Sequence, residues 1–326
     1  MTDAGRRITR AEIVALPKAE LHLHLEATLR PATAAELADR LGRPVPRTGH
    51  FADLAEFVGA YEGARDLLGT LDDLRRVARE LIEDAGRLGV VWSEVHLIPP
   101  TYAGRLGPAE GIVEAVLDGF GGAAGIILGI NRGLPVAAAE ESLRLALAYH
   151  DRGVVGLGLA GDEARHPAAR FSSLFGRARA AGLSALPHAG EGAGAASVRA
   201  CVEHLGARRI NHGVRAVEDP TVLDLLRERN VVLDVCPSSN VALGVAASID
   251  EHPLPTLLAA GVGVTLASDA PYFCDTDIVA EYLLAHERLG VDRAGLAAIA
   301  RRSLVVSSCP RHRLPRPDPA IRPDNC

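Results

Sequence analysis

The stretch Pro17-Lys18-Ala19-Glu20-Leu21-His22-Leu23-His24-Leu25-Glu26 decides the fold. Polar and apolar residues alternate through it with the period of two that marks a β-strand. That period sets Glu20, His22, His24 and Glu26 on one face and Leu21, Leu23 and Leu25 on the other. The leucines are expected to pack on helices, with the polar face turned inward. Two imidazoles at this spacing stand about 7 Å apart along the strand and converge on one point. A lone His-x-His also arises by chance, so the pair gains weight only from what other strand ends carry.

Seven more apolar, β-branched runs follow: Val90–Ile98, Gly125–Asn131, Val154–Ala160, Ser184–His188, Arg209–His212, Val231–Val235 and Val262–Ser268. With Ala19–Glu26 they make eight, and amphipathic segments such as Leu71–Gly86, Ala137–Arg152 and Pro220–Arg229 lie between them. This βαβ rhythm predicts an α/β fold, a (β/α)8 TIM barrel with helices around a parallel sheet. The long segment Ala27–Gly89 predicts a helical insertion after the first strand, over the barrel mouth. Its Phe51, Phe57 and Tyr61 serve either packing or substrate contact. A single barrel domain is expected over residues 1–306. Beyond it, Ser307-Ser308-Cys309-Pro310-Arg311-His312 and prolines at 315, 317, 319 and 323 predict a disordered Pro-rich tail, 307–326, in place of a closing helix.

Bulk properties narrow the function. The 326 residues are 48% hydrophobic and 23% charged, an ordinary globular balance. A net charge of −6 offers no basic face to neutralise phosphates, which argues against polymeric nucleic acid and for a small-molecule substrate. The start, Met1 to Arg7, lacks the apolar core of a secretory signal, and the longest apolar runs are broken by Gly, Arg or Asp. No membrane partner is expected, and the cytoplasm is the expected address. Five cysteines at 201, 236, 274, 309 and 326 show no close pairing, so no disulfide framework is expected. Self-association into a homo-oligomer is left open.

Further ligand-type residues fall at the carboxyl ends of predicted strands, where barrel enzymes build their sites: His188-Ala189-Gly190-Glu191, His212-Gly213 and Ser268-Asp269. Three histidines and a carboxylate suit a zinc ion with one position left for water, whose pKa the ion lowers toward neutrality. Ordinary roles account for much of the rest. Asp162 and Glu163 read as a loop carboxylate pair tied to a neighbouring arginine. Cys236 reads as a small core residue, and His50, His96, His150 and His204 as structural or surface residues.

Together with Ala160-Gly161-Asp162-Glu163, Asn211-His212-Gly213-Val214-Arg215 and Cys236-Pro237-Ser238-Ser239-Asn240, these motifs resemble the adenosine deaminase family from about residue 12 to about residue 306. The His-Gly-Val-Arg form, and the His252-Pro253-Leu254 that follows Asn240, resemble its adenine deaminase and aminodeoxyfutalosine deaminase branch. The resemblance implies that His22, His24, His188 and Asp269 ligate one Zn2+ per chain, whose hydroxide attacks C6 of an adenine-type ring. Glu191 would protonate N1, and His212 would orient the water and stabilise the developing oxyanion. The Gly161 amide would face N3, Glu26 would help set what lies beyond the ring, and Asn240 would either touch substrate or cap its own loop. The implied reaction turns the 6-amino group of adenosine, adenine, aminodeoxyfutalosine or a modified or deazapurine analogue into 6-oxo, releasing ammonia.

Two positions depart from the family pattern. Ala270 stands where the family has a second Asp that hydrogen-bonds N7, a loss worth roughly 1–3 kcal/mol of binding. Ala27 stands where it usually has Gly. These departures keep two alternatives open: a zinc-binding pseudoenzyme, and a metal-dependent hydrolase of a non-purine substrate. The unrelated cytidine deaminase fold is excluded, because no Pro-Cys-x-x-Cys is present.

Overall fold

A computed structural model describes residues 7–51, 54–102 and 104–314. Eight strands form the barrel: β1 (Lys18–His24), β2 (Val90–Leu97), β3 (Ala124–Asn131), β4 (Val154–Ala160), β5 (Ser184–Ala189), β6 (Arg209–His212), β7 (Val232–Val235) and β8 (Gly263–Leu266). Each pairs in parallel with the next. The seam back to β1 is closed just beyond β8: Asp269 N–H donates to His22 O at 3.1 Å, and His24 N–H donates to Asp269 O at 3.1 Å. Three of the residues singled out as metal ligands are therefore stitched together by their own backbone. The expected (β/α)8 TIM barrel is present, and its largest core packs Leu, Val and Ile from the strands against the surrounding helices.

The strict alternation expected of β1 fails at one place. Glu20 pairs with Ser93 and Leu23 with Val95, so β1 spends one residue more than β2 between the two rungs. Such a bulge redirects side chains. Leu21 consequently joins Ala19, Trp92 and Cys309 in a separate cluster, while Leu23 and Leu25 keep their place in the main core. Glu20 leaves the histidine face and accepts from the backbone N–H of Ser268 at 3.1 Å and from its hydroxyl at 2.5 Å.

The insertion after β1 is helical, as expected. Pro31–Leu41 begins with Pro in its first turn and ends at Gly42, which takes φ 61. Leu54–Leu67 follows, and then Leu71–Arg87, whose Thr70 and Asp73 form a capping box. Phe51, Phe57 and Phe273 pack edge to face, with Phe57 at 5.4 Å from Phe51 and 5.5 Å from Phe273. Tyr61 reaches from this layer to within 5.9 Å of the His24 ring.

A closing helix is present, contrary to expectation: Arg293–Val306, capped by Asp292 and tied to β1 by Ala19 N–H donating to Ser303 Oγ at 2.9 Å. The first eight residues of the expected tail are also built onto the barrel. Ser308 N–H donates to Glu94 at 2.7 Å, and Cys309 is buried beside Ala19, Leu21 and Trp92. The Pro-rich reading missed these contacts because composition cannot see a buried carboxylate that accepts from the chain. Residues 315–326 and 1–6, including the start read for signals, lie outside the described residues. Buried Arg209 braces this end of the barrel between Glu94 at 2.5 Å and Asp234 at 2.8 Å. No helix among the described residues is long and apolar enough to cross a membrane.

Candidate metal centre and active site

His22 and His24 reach the barrel axis from β1, His188 from the end of β5, and Asp269 from the turn after β8, where it takes φ 59. Their donor atoms all lie within 4.8 Å of one another. His188 Nε2 stands 3.0 Å from His22 Nε2 and 3.1 Å from His24 Nε2. Asp269 Oδ1 lies 3.2 Å from His22 Nε2 and 3.4 Å from His24 Nε2. Donors about 2.0–2.1 Å from a common centre stand roughly 3 Å apart, so four donors at these separations fit around one small cation.

The chemistry of the donors fits as well. Burial lowers the imidazoles, His22 to about 4 and His24 and His188 in the same direction, which leaves neutral lone pairs. Burial works against ionising Asp269, but His22, His212 and His24 around it hold its carboxyl below the usual carboxylate range. Three imidazole nitrogens and one carboxylate are a donor set that could hold a cation.

Supporting contacts surround the donors. His188 Nδ1 lies 3.1 Å from Leu159 O and can only donate there, so its Nε2 is free to ligate. The Ser239 hydroxyl donates to Asp269 Oδ2 at 2.6 Å, leaving Oδ1 to face the histidines. Cys236, fully buried as expected, also sits 3.4 Å from His22 Nδ1. His96, set aside as structural, lies within the site's wall. Its ring stacks on His24 at 4.9 Å and 18°, and Nε2 is 2.7 Å from the Asn211 amide. Of the other histidines set aside, His50 and His204 are exposed and His150 is half-buried.

Glu191 and His212 stand beside this cluster. His212, at the end of β6 with φ 62, places Nε2 3.4 Å from Glu191 Oε1 and 4.0 Å from Asp269 Oδ2. Burial raises the Glu191 carboxyl, an effect that nearby His212 opposes and Asp269 and Glu163 reinforce. The expected carboxylate pair is split. Asp162 does pair with a neighbouring arginine, Arg165, at 3.4 Å. Glu163 instead accepts three backbone N–H groups of the loop that carries Glu191: Gly190 at 2.7 Å, Glu191 at 3.2 Å and Ala193 at 3.0 Å.

The remaining residues are placed as follows. Gly161 follows β4 at φ 97, and a Cβ there would meet Asn131 Oδ1 at 2.9 Å, so the position has no room for a side chain. Glu26 is buried and accepts from the hydroxyls of Tyr61 and Tyr102. Ala27 and Ala270 are buried. Asn240 lies behind His212, both ends of its amide taken up by imidazoles: His212 Nδ1 at 3.1 Å and His252 Nε2 at 3.1 Å. His252 and Glu163 are residues the sequence reading did not place in the site.

The model of the adenosine deaminase family matches residues 17–315. A Streptomyces coelicolor protein provisionally named adenosine/adenine deaminase is 40% identical over 92% of this chain and 94% of its own. Among solved structures, an adenine deaminase from Arthrobacter aurescens is 31% identical with a TM-score of 0.84, covering 91% of this chain and 95% of its own. An amidohydrolase from Burkholderia ambifaria with bound Zn is 27% identical with a TM-score of 0.81, covering 93% and 89%. The chain thus belongs to the adenosine deaminase family, a hydrolytic deaminase that acts on C–N bonds.

Proposed function

We propose that this chain is a zinc-dependent aminohydrolase that replaces the 6-amino group of an adenine-type base or nucleoside with oxygen. The observation that carries the proposal is the convergence of His22, His24, His188 and Asp269 on one point, with Glu191 and His212 beside it. Those four would hold one ion per chain, which would supply the Lewis acidity that makes water a nucleophile near neutral pH.

The chain's residues supply the rest. Glu191, whose carboxyl burial raises, retains a proton to deliver to N1 of the ring, which makes the adjacent C6 electrophilic. An oxygen–carbon bond forms at C6, the bond from C6 to the amino nitrogen breaks, and the nitrogen leaves as ammonia with one proton of the attacking water, the other returning to Glu191. His212 faces the same space and steadies the oxygen. Gly161, where no side chain fits, would present its backbone amide to N3. Glu26, held by Tyr61 and Tyr102, limits what can extend beyond the ring.

Ala270 puts a buried methyl next to Asp269, where the family pattern has a carboxyl. This favours substrates without an ordinary N7 acceptor, such as a 7-deazapurine, or a water bridging to N7. The test is ammonia release from adenine, adenosine, 5′-modified adenosines, aminodeoxyfutalosine and 7-deaza analogues, by the native chain and by Ala270→Asp. Turnover that chelation removes and zinc restores is expected, with Ala270→Asp shifting preference toward ordinary purines. Silence across the panel in both forms with zinc bound would remove the purine reading and leave a non-purine hydrolase or a pseudoenzyme.

A further inference from the structure

Behind His212 runs a chain of hydrogen bonds whose direction is set by a backbone group. The N–H of Leu254 can only donate, and it lies 3.1 Å from His252 Nδ1. That nitrogen must accept, so the proton of neutral His252 sits on Nε2, which donates to Asn240 Oδ1 at 3.1 Å. The opposite end of the same amide, Nδ2, then donates to His212 Nδ1 at 3.1 Å. With its Nδ1 lone pair engaged, His212 carries its proton on Nε2, the nitrogen 3.4 Å from Glu191 and 4.0 Å from Asp269.

The surroundings of the chain hold this order. His252, Asn240 and His212 are 3%, 0% and 1% exposed, so water does not compete for their polar atoms. Burial also pushes the His252 imidazolium down to about 4, which keeps the residue in the neutral form the chain requires. Asn240 cannot swing away: its N–H donates to Cys236 O, and its own carbonyl accepts from Val245 and Ala246. An inverted amide would set its oxygen against the His212 Nδ1 lone pair and its N–H against the His252 proton.

We infer that His252 and Asn240 are positioning residues, which hold His212 as the Nε2–H tautomer so that it presents a hydrogen-bond donor, and no lone pair, to the reacting atoms. His212 then stabilises oxygen and does not take its proton. This role rests on the deaminase reading above, but the arrangement itself can be read without turnover.

The test is imidazole nitrogen NMR on the full, metal-loaded chain labelled with 15N-histidine, which separates protonated from lone-pair ring nitrogens. His212 is expected to show a lone-pair Nδ1 and a protonated Nε2. His252→Phe removes the fixed donor and should mix the two tautomers. Asn240→Asp offers only acceptors and should move the proton to Nδ1. His252→Gln keeps an N–H for Asn240 and should restore the native pattern. Metal content should stay at one ion per chain throughout, as a check on folding. In kinetics, kcat should fall roughly ten- to a hundredfold in the first two variants, with KM changing less than about twofold, and should recover in His252→Gln. A proton on Nδ1 in the native chain, or a tautomer unmoved by Asn240→Asp in a folded, metal-loaded variant, overturns the inference. If the purine panel is silent while the tautomers behave as described, the deaminase reading falls and the relay stands.

Discussion

Replacing Glu163 with Gln tests how the loop after β5 is held. The carboxylate takes Gly190 N–H on Oε1 and Glu191 and Ala193 N–H on Oε2. Gln has one acceptor oxygen, so its NH2 must face one of these two sets. Gly190 N–H is buried and the other two are only part-buried. The oxygen should therefore stay on Gly190, releasing Glu191 and Ala193 to water. Bonds to an ionised acceptor are worth about 1.5–3 kcal/mol each, and partial rehydration returns some of that, so a loss of about 2–3 kcal/mol is expected. The loop that loosens carries Glu191, and a shift of about 1 Å in a reacting group can cost on the order of a hundredfold in rate. Removing the Glu163 charge also relaxes one of the influences that keep the Glu191 carboxyl raised. Urea unfolding should show the loss of stability. Ammonia release with the best substrate of the panel should fall ten- to a hundredfold, and bound metal should be unchanged, because no ligand is touched. A variant that unfolds at the native urea concentration and turns over at the native rate would refute this account of the loop.

Three further perturbations follow from the geometry. Chelation, or His24→Ala, should abolish turnover and lower the unfolding temperature, since it leaves the remaining buried donors without their cation; mass spectrometry under native conditions should find one divalent ion per native chain and less in the variant, and equal metal content would contradict the assignment. Gly158→Ala would bring a Cβ to within 2.9 Å of the His96 ring, which stacks on His24, so about 1–3 kcal/mol of stability and some metal affinity should be lost, as read by unfolding and by competition with a chromophoric chelator. His252 titrates near 6.5 when unfolded and near 4 when folded, so the unfolded chain binds more protons between those values and stability falls as pH drops through them; relative to His252→Gln the native chain should lose up to about 3 kcal/mol over that window, and parallel stability curves would show that His252 is not held neutral.

The barrel and the four donors could be read from sequence because each depends on local pattern: a period of two in the strands, and a polar residue where a strand stops. The bulge in β1 could not, because it is a mismatch between two strands and neither strand records it alone. Leu21 and Glu20 were misplaced for that reason. His96 did leave a trace: Glu94 and His96 alternate within the apolar strand Val90–Leu97, and register pairs His96 with His24. Glu163, Asn240 and His252 left less, since their partners are backbone amides and imidazoles supplied by distant turns. The closing helix was missed because the prolines beyond it were allowed to speak for the residues before them.

What unites these supports is that the ultimate partner is so often the main chain. Leu159 O receives the His188 Nδ1 proton and so frees Nε2. Leu254 N–H sets the order that ends on His212. Backbone N–H groups of Gly190, Glu191 and Ala193 fix Glu163. A peptide carbonyl cannot donate and a peptide N–H cannot accept, so these partners impose a polarity that a hydroxyl or an imidazole would leave free. The site therefore holds its lone pairs and protons in place before any ligand arrives, the condition under which electrostatic stabilisation of a transition state requires least reorganisation. It follows that damage to the supporting bonds should appear chiefly in kcat, while changes at Glu26 or Ala270, which the proposed function sets around the substrate, should appear chiefly in which substrate is chosen.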